Sequence, residues 1–385
     1  MISFRLRHIL PLALAVFLTG CSASSDEPQP SEWDSHTYLQ LSVSTAESSS
    51  PRSRAEGDET TFEPGVGNEL IKTMRFIVLD NDGKVEHNIM VYNTTNSSSA
   101  QTGVYIVKPN ELKQIYLVGN EASLPQTVRD MLVGLSYKTQ FPQQLRDFVL
   151  ERKDKLSPLF ASDDLIPMTE FFNFQIDDPK HDDDKKPQPY TANLFITRVP
   201  TKVTFNLKLD PAYSTESYRN IEPGSVSFSP ISISQFLFPH LTEYNPQKPV
   251  PVMDGASLSL QRYITEFETP QTATTSPFEI TEWTRTADED GCRTYTTGSF
   301  YLTETPPGKI VEGARPYTVT LNIGDASLST TLENLPTLPR NTHVIVNMTL
   351  SQSELTAVVE LVPYIGVELK PSFGFPIPDP EPEQE

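Results

Sequence analysis

The sequence predicts an all-β chain with a few short helices, arranged as two sandwich-like domains in tandem. Three observations lead there. Thirty-four prolines against 17 glycines, with abundant Thr, Ser, Val and Tyr, favour many short strands joined by stiff connections. Runs in which apolar and polar residues alternate recur along the chain, separated by turn residues. A length of 385 residues suffices for two domains of roughly 150 residues each.

The N-terminal segment carries basic Arg5, Arg7 and His8, then an apolar run from Ile9 to Phe17. Its charge, length and order are those of a secretory signal, and the run is too short for a permanent membrane helix. The residues Leu18-Thr19-Gly20-Cys21 that follow resemble a bacterial lipobox. In that class of signal the peptide is cut before the cysteine, which takes the lipid; stable anchoring at Cys21 is then expected. Ser22 to Asp34 is Ser-, Pro- and acid-rich and reads as a disordered tether. Asp26-Glu27 within it is either a plain solvated linker or, by resemblance to Bacteroidales lipoproteins, a surface-export signal.

The first strand is Thr37 to Ser44, where Leu39, Leu41 and Val43 alternate with polar residues. Ala46 to Thr60 separates it from the body of the chain. That loop holds Arg52 and Arg54 in a Ser-rich setting, a natural target for an Arg-specific protease. Two β-rich runs then flank Asp80-Asn81-Asp82-Gly83, which predicts a hairpin over Asn68 to Tyr92. The turn lacks the ligand spacing of an EF-hand, so a plain turn is expected. Gly103 to Val107 and Gln114 to Val118 read as strands, and Thr127 to Leu135 and Pro142 to Glu151 as short surface helices. The charged stretch Asp177 to Lys186 reads as a solvated loop. Leu194 to Leu207 is a strand, a break at Pro200 and another strand, and the domain boundary is placed there. Beyond it, Ser225 to Phe228, Ile310-Val311, Tyr317 to Ile323, Val344 to Leu350 and Leu355 to Val362 alternate again. Pro376 to Glu385 reads as a disordered tail.

The net charge of −20 argues against nucleic acid or an anionic lipid surface as partner. Cys21 is expected to be consumed by lipid, leaving Cys292 alone and no disulfide within the chain. His36, His87, His181, His240 and His343 are scattered, and no metalloprotease helix, nucleophile elbow or phosphate loop is present. Carboxylate pairs such as Asp163-Asp164 and Asp288-Glu289-Asp290 sit in loop-like sequence. Neither an enzyme nor a cofactor or metal is expected.

Several pieces together resemble one family, the fimbrillin subunits of type V pili. They are the Leu18-Thr19-Gly20-Cys21 signal, the strand-then-arginine arrangement ending at Arg54, and Leu70 to Gly83. Further along come Ile115 to Asn120, Ile166-Pro167-Met168, Thr197-Arg198-Val199, Arg340 to His343 and the closing Val359 to Phe373. The resemblance implies two transthyretin-like β-sandwich domains, export to the outer membrane as a lipoprotein, and a place in a surface fimbria among other fimbrial subunits. It also implies assembly by donor-strand exchange: an Arg-specific protease removes the first strand, and C-terminal strands of another subunit fill the groove. Carried onto this chain, the cut follows Arg54 or Arg52, and the released strand contributes Leu39, Leu41 and Val43. The donor at 355–373 contributes Ala357, Val359, Leu361 and, after Pro363, Ile365, Val367 and Leu369.

The resulting organisation is a signal peptide over 1–21, a tether with the removable strand over 22–54, sandwich domains over 55–195 and 196–375, and a tail over 376–385. Stalk, anchor and tip roles are all compatible with these features. Two other readings stand beside it. Both segments could be ordinary strands of a monomer. Alternatively, the chain is a surface glycan-binding lipoprotein with Trp283, Tyr295 and Tyr301 as a stacking platform.

Overall fold

A computed structural model describes residues 36–45, 63–65, 67–97, 99–154, 156–182, 186–212, 220–240, 270, 275–286, 293–305, 317–333, 335, 337–352 and 354–365. Cys21, the tether with Trp33, Arg52, Arg54, Asp288 to Cys292, the strand expected at Ile310-Val311, Val367, Leu369 and the tail lie outside them.

In the first half, β1 is Thr37–Thr45, β2 Glu63–Pro64, β3 Ile71–Leu79, β4 Val85–Ser97 and β5 Ser99–Val107. They are followed by β6 Glu111–Gly119, β7 Val149–Glu151, β8 Met168–Ile176, β9 Lys180–His181 and β10 Pro187–Arg198. Two helices, α1 Gln126–Gly134 and α2 Gln143–Arg146, precede β7. The second half holds β11 Thr201–Leu209, β12 Val226–Ser232, β13 Ser234–Phe236, β14 Thr275–Ile280 and β15 Thr284–Arg285. After these come β16 Thr294–Thr296, β17 Phe300–Leu302, β18 Thr318–Ile323, β19 Ala326–Thr331, β20 Thr342–Ser351 and β21 Glu354–Ile365.

The first sandwich has β4-β3-β6-β8 as one layer and β10-β1-β5 as the other. β10 joins them: Thr197 and Arg198 pair with β8, while its earlier residues pair with β1. Alternate residues of both layers point inward, so Leu39, Leu41 and Val43 meet Met74, Phe76, Ile115, Leu117 and Phe172 in one core. The β3–β6 layer is buried on its other face too. Ile77, Leu79, Tyr116 and Val118 lie under α1, α2 and the loops around Phe141 and Phe160. That double burial explains why Phe76 to Leu79 and Ile115 to Val118 are continuous apolar runs instead of alternating ones.

The second sandwich sets β15-β16-β11-β20-β21 against β14-β12-β18-β19 around Phe205, Phe228, Phe278 and Tyr317. The two halves share a topological feature. In each, the first long strand runs parallel beside a long strand from late in the half: β1 beside β10, and β11 beside β20, which β21 follows. The sheets change over at Val199-Pro200, between β10 and β11.

One predicted element is corrected. The helix expected from Pro142 to Glu151 stops at Arg146. Val149 to Glu151 instead pairs antiparallel with Ser234 to Phe236, forming a ribbon that ties the two halves together. A partner strand from the other half overrides a weak helical propensity there. The helix expected over Thr127 to Leu135 is present as α1, with Val128 and Leu132 buried one turn apart.

Candidate functional site: the first-strand slot and the junction

β1 lies in the middle of its layer. Its residues Tyr38 to Thr45 run parallel along Pro189 to Ile196, and its other edge pairs antiparallel with β5. Leu39, Leu41 and Val43 are each 1% exposed. The β5 pairing is interrupted between Gln40 and Ser42, and a side chain fills the gap. The Leu41 N–H donates to Thr102 Oγ1 at 3.0 Å, and that hydroxyl is itself buried. At the entry end, Tyr38, Ile106, Pro179, Lys180, His181 and Pro187 surround a cavity of about 240 Å³. Lys180 Nζ sits 3.9 Å above the Tyr190 ring.

The predicted donor divides in two. Glu354 to Pro363 pairs without interruption along β20. Leu355 and Val362 are buried, and Ala357, Val359 and Leu361 pack on the core of the second sandwich. These residues therefore complete their own domain. Past Pro363 the pairing changes: Tyr364 and Ile365 meet only Glu63 and Pro64 of β2 among the described residues.

Motif pieces far apart in sequence converge where the sandwiches meet. Asn120, at φ 55° and fully buried, accepts from the N–H groups of Lys72 (2.8 Å) and Thr73 (3.4 Å). Its amide donates to the carbonyls of Leu70 and Ile166, both at 2.9 Å. The left-handed conformation suits asparagine, which tolerates it better than most residues. Arg198, 2% exposed, donates to Glu69 O at 3.1 Å and to Asn341 Oδ1 at 3.3 Å. A Cβ on Gly65 would stand 2.0 Å from Arg198 Nη2, so a side chain there would require the Arg198 guanidinium to shift. Arg340 forms a two-pronged pair with buried Glu304, and donates to the carbonyls of Phe236 and Leu237. Glu304 N–H in turn donates to Gln235 Oε1, whose amide reaches Val199 O. Of these residues, Leu70, Asn120, Ile166, Arg198, Arg340 and Asn341 belong to motif pieces legible in the sequence, whereas Gly65, Gln235 and Glu304 do not.

Glu69 receives Lys202 Nζ at 3.2 Å and the Tyr301 hydroxyl at 2.7 Å. Burial first, and then the adjacent Glu69 charge, pushes the Tyr301 pKa far above the ordinary phenol value. Burial does the same to Tyr317, whose hydroxyl donates to Thr305 O. Each folded-state pKa lies above the unfolded value of about 10, so the fold keeps both protons while the unfolded chain ionises. The associated stability is fully present below pH ~10 and is lost as pH rises beyond it. Phenolate absorbance should thus rise on unfolding at alkaline pH by at least the contribution of these two tyrosines. Titration of both phenols near pH ~10 in the native chain would refute their burial.

The stacking platform is not formed. Tyr295 and Tyr301 are 3% and 4% exposed, and Trp283 packs on the second core while its indole N–H donates to Gly224 O. Register decides this: Tyr295 stands opposite Leu207, on the inward face. The histidines are dispersed. His87 contacts Ile106 O at 2.7 Å, His240 faces Asp147 at 3.2 Å, and His343 meets Thr204 Oγ1 at 2.8 Å. His36 and His181 both line the cavity at the entry end of β1. Asp80 Oδ1 in the hairpin turn accepts the N–H groups of Asp82 and Lys84. Asp164 Oδ2 accepts Ala161 N–H, which makes it a loop-capping carboxylate. Among the described residues no three His, Cys, Asp or Glu side chains are grouped as metal ligands, and no helix is long and apolar enough to cross a membrane.

No family model matches the chain. No curated protein matches it. Among solved structures, a candidate cell adhesion protein from Parabacteroides distasonis aligns at a TM-score of 0.51 and 10% identity, over 86% of this chain and 98% of that one. The tip fimbrial protein Mfa3 from Porphyromonas gingivalis, with C-terminal truncation, aligns at 0.48 and 11% identity, covering 86% and 100%. The fimbrilin FimA from Porphyromonas gingivalis aligns at 0.46 and 12% identity, covering 85% and 98%. This chain is all-β and shares the fold of the Parabacteroides distasonis structure.

Proposed function

We propose that this chain is a structural subunit of a cell-surface fimbria. It is exported as a lipoprotein through Cys21, carried to the outer membrane, and polymerised with other subunits by protease-triggered donor-strand exchange. The observation that carries the reading is the attachment of β1. It is the central strand of its layer, yet it joins the body of the chain only through residues 46–62, which contain Arg52 and Arg54. Its topological counterpart β11 is held by chain at both ends, continuing directly from β10.

One cut therefore frees β1 from covalent restraint. Losing it uncovers the sites of Leu39, Leu41 and Val43, about 1.5–3 kcal/mol for each aliphatic side chain. It also leaves β5 and β10 with unpaired backbone edges, which demand a new strand. With β1 removed, the first sandwich would present one apolar slot between two strand edges, the equipment of association.

Arg52→Ala with Arg54→Ala should abolish polymer formation while the monomer folds unchanged. Electron microscopy and gel filtration after arginine-specific digestion read the outcome, and normal polymers from the double variant would refute a protease trigger. Mass spectrometry of the mature N-terminus distinguishes roles. A start at Ser53 or Ala55 marks a polymerising subunit, and a lipidated Cys21 on a whole chain marks an anchor.

A further inference from the structure

The cleft at the entry end of β1 has the build of a small-molecule site. β1 supplies one wall with Thr37 and Tyr38, and His36 stands just ahead of the strand. The body of the chain supplies the other, with Ile106 from β5, Pro179, Lys180 and His181 around β9, and Pro187 from β10. We infer that this cleft binds a small aromatic carboxylate. The ring lies among Tyr38, Ile106 and the two prolines, and the carboxylate meets Lys180.

Volume and wall chemistry narrow the ligand. A cavity of about 150 Å³ holds one benzene ring. The 240 Å³ here therefore takes a single ring with a short acidic arm. Tyr38 stands opposite Ile106 across the β1–β5 pairing, and Ile106 keeps 55% of its surface exposed. A large aliphatic side chain left open beside a tyrosine and two prolines is surface that an apolar ring covers. A sugar of the same size would lose hydrogen bonds against these walls.

Charge selects the acid. The chain has 50 acidic residues against 30 basic ones, yet among the described residues Lys180, His36 and His181 line the cleft and no carboxylate does. Asp178 and Asp182, on either side of Lys180, are committed elsewhere. Asp178 Oδ1 accepts from Asn110 at 2.9 Å, and Asp182 accepts from Lys186 N–H and Gln188. Lys180 Nζ rests 3.9 Å from the centroid of the Tyr190 ring, and no described carboxylate pairs with it. The ring face positions the ammonium while its hydrogens stay available to an anion. Thr37, 1% exposed, borders the same cleft with an Oγ1 that has no hydrogen-bond partner.

Because β1 forms one wall, the ligand is linked to that strand. A compound that binds only with β1 seated stabilises the seated state. Taken with the fimbrial reading above, it holds the subunit in its unpolymerised form. The binding itself does not rest on that reading.

The test titrates 3-phenylpropionate into the full, uncut chain and follows saturation by NMR. The acid should bind saturably, with 3-phenylpropanamide and glucuronate each at least tenfold weaker. Lys180 is exposed, so Lys180→Gln should keep the fold, weaken the acid about tenfold and leave the amide unchanged. Ile106→Glu, which sets a carboxylate in the wall, should abolish binding of the acid. No saturable binding of the acid would overturn the inference. Equal binding of acid and amide would overturn the carboxylate, and tighter binding of glucuronate would overturn the aromatic ring. Arginine-specific digestion then separates this site from the proposed function. At ten times its Kd, the acid should slow release of the β1 peptide about tenfold. Unslowed release with binding intact would overturn the link to β1. Absence of any released peptide, with binding intact, would overturn strand removal and leave the site standing.

Discussion

Arg340→Ala should lower the unfolding free energy by about 3–5 kcal/mol, the range for removing one partner of a buried ion pair. Arg340 and Glu304 are 1% and 2% exposed, with Nε–Oε2 at 2.8 Å and Nη2–Oε1 at 2.5 Å. Truncation leaves the Glu304 carboxylate without its countercharge, and it strips donors from the carbonyls of Phe236 and Leu237. Those carbonyls belong to the β13 segment, whose ribbon with β7 links the halves. The loss should therefore appear as loosening of the junction as well as lower stability. Replacing both partners, Arg340→Met with Glu304→Leu, should recover most of the deficit, because an apolar pair leaves no buried charge. Urea unfolding of the single and double variants completes the cycle. A single-variant loss under about 1 kcal/mol would mean that water reaches the pair in solution.

Asn120→Gly should cost about 2–4 kcal/mol, and Asn120→Ala about 1 kcal/mol more. The side chain satisfies two backbone donors and two backbone acceptors in a site with no exposure. Leaving buried polar groups unpaired costs about 1–3 kcal/mol each, and groups in one network do not add fully. Glycine accepts the φ of 55° without strain, whereas alanine does not, so the difference between the variants isolates the backbone term. Asn120→Asp retains the acceptor but loses both donors and sets a carboxylate against the carbonyls of Leu70 and Ile166. It should fall at the severe end. Wild-type stability in Asn120→Gly would show that this bridge contributes little to holding β3, β6 and the approach to β8 together.

Much of the fold was legible. The alternation in β1, β20 and β21 and the Asp-Gly turn between β3 and β4 are local signals that need no tertiary context. The spacing of Val128 and Leu132 is equally local, and α1 follows from it. The β7–β13 ribbon was not legible, because two three-residue strands carry no periodicity and stabilise each other only once paired. Trp283, Tyr295 and Tyr301 show a second limit. Alternation says which residues share a face, but not which face is inside, and register turned the two tyrosines inward.

The candidate site divides along the same line. By itself the sequence determined that Leu39, Leu41 and Val43 share one face of an extended segment and that two arginines follow it. Only the tertiary structure decided that β1 lies between β5 and β10, that Thr102 meets the Leu41 N–H, and that Ala357, Val359 and Leu361 are kept at home. It alone joined Asn120 to Ile166, Arg198 to Asn341 and Arg340 to Glu304. The physical reason is that side-chain periodicity is a property of neighbours in sequence. Strand pairing, burial of charge and close backbone approach depend on register between segments that the chain brings together only when both cores form.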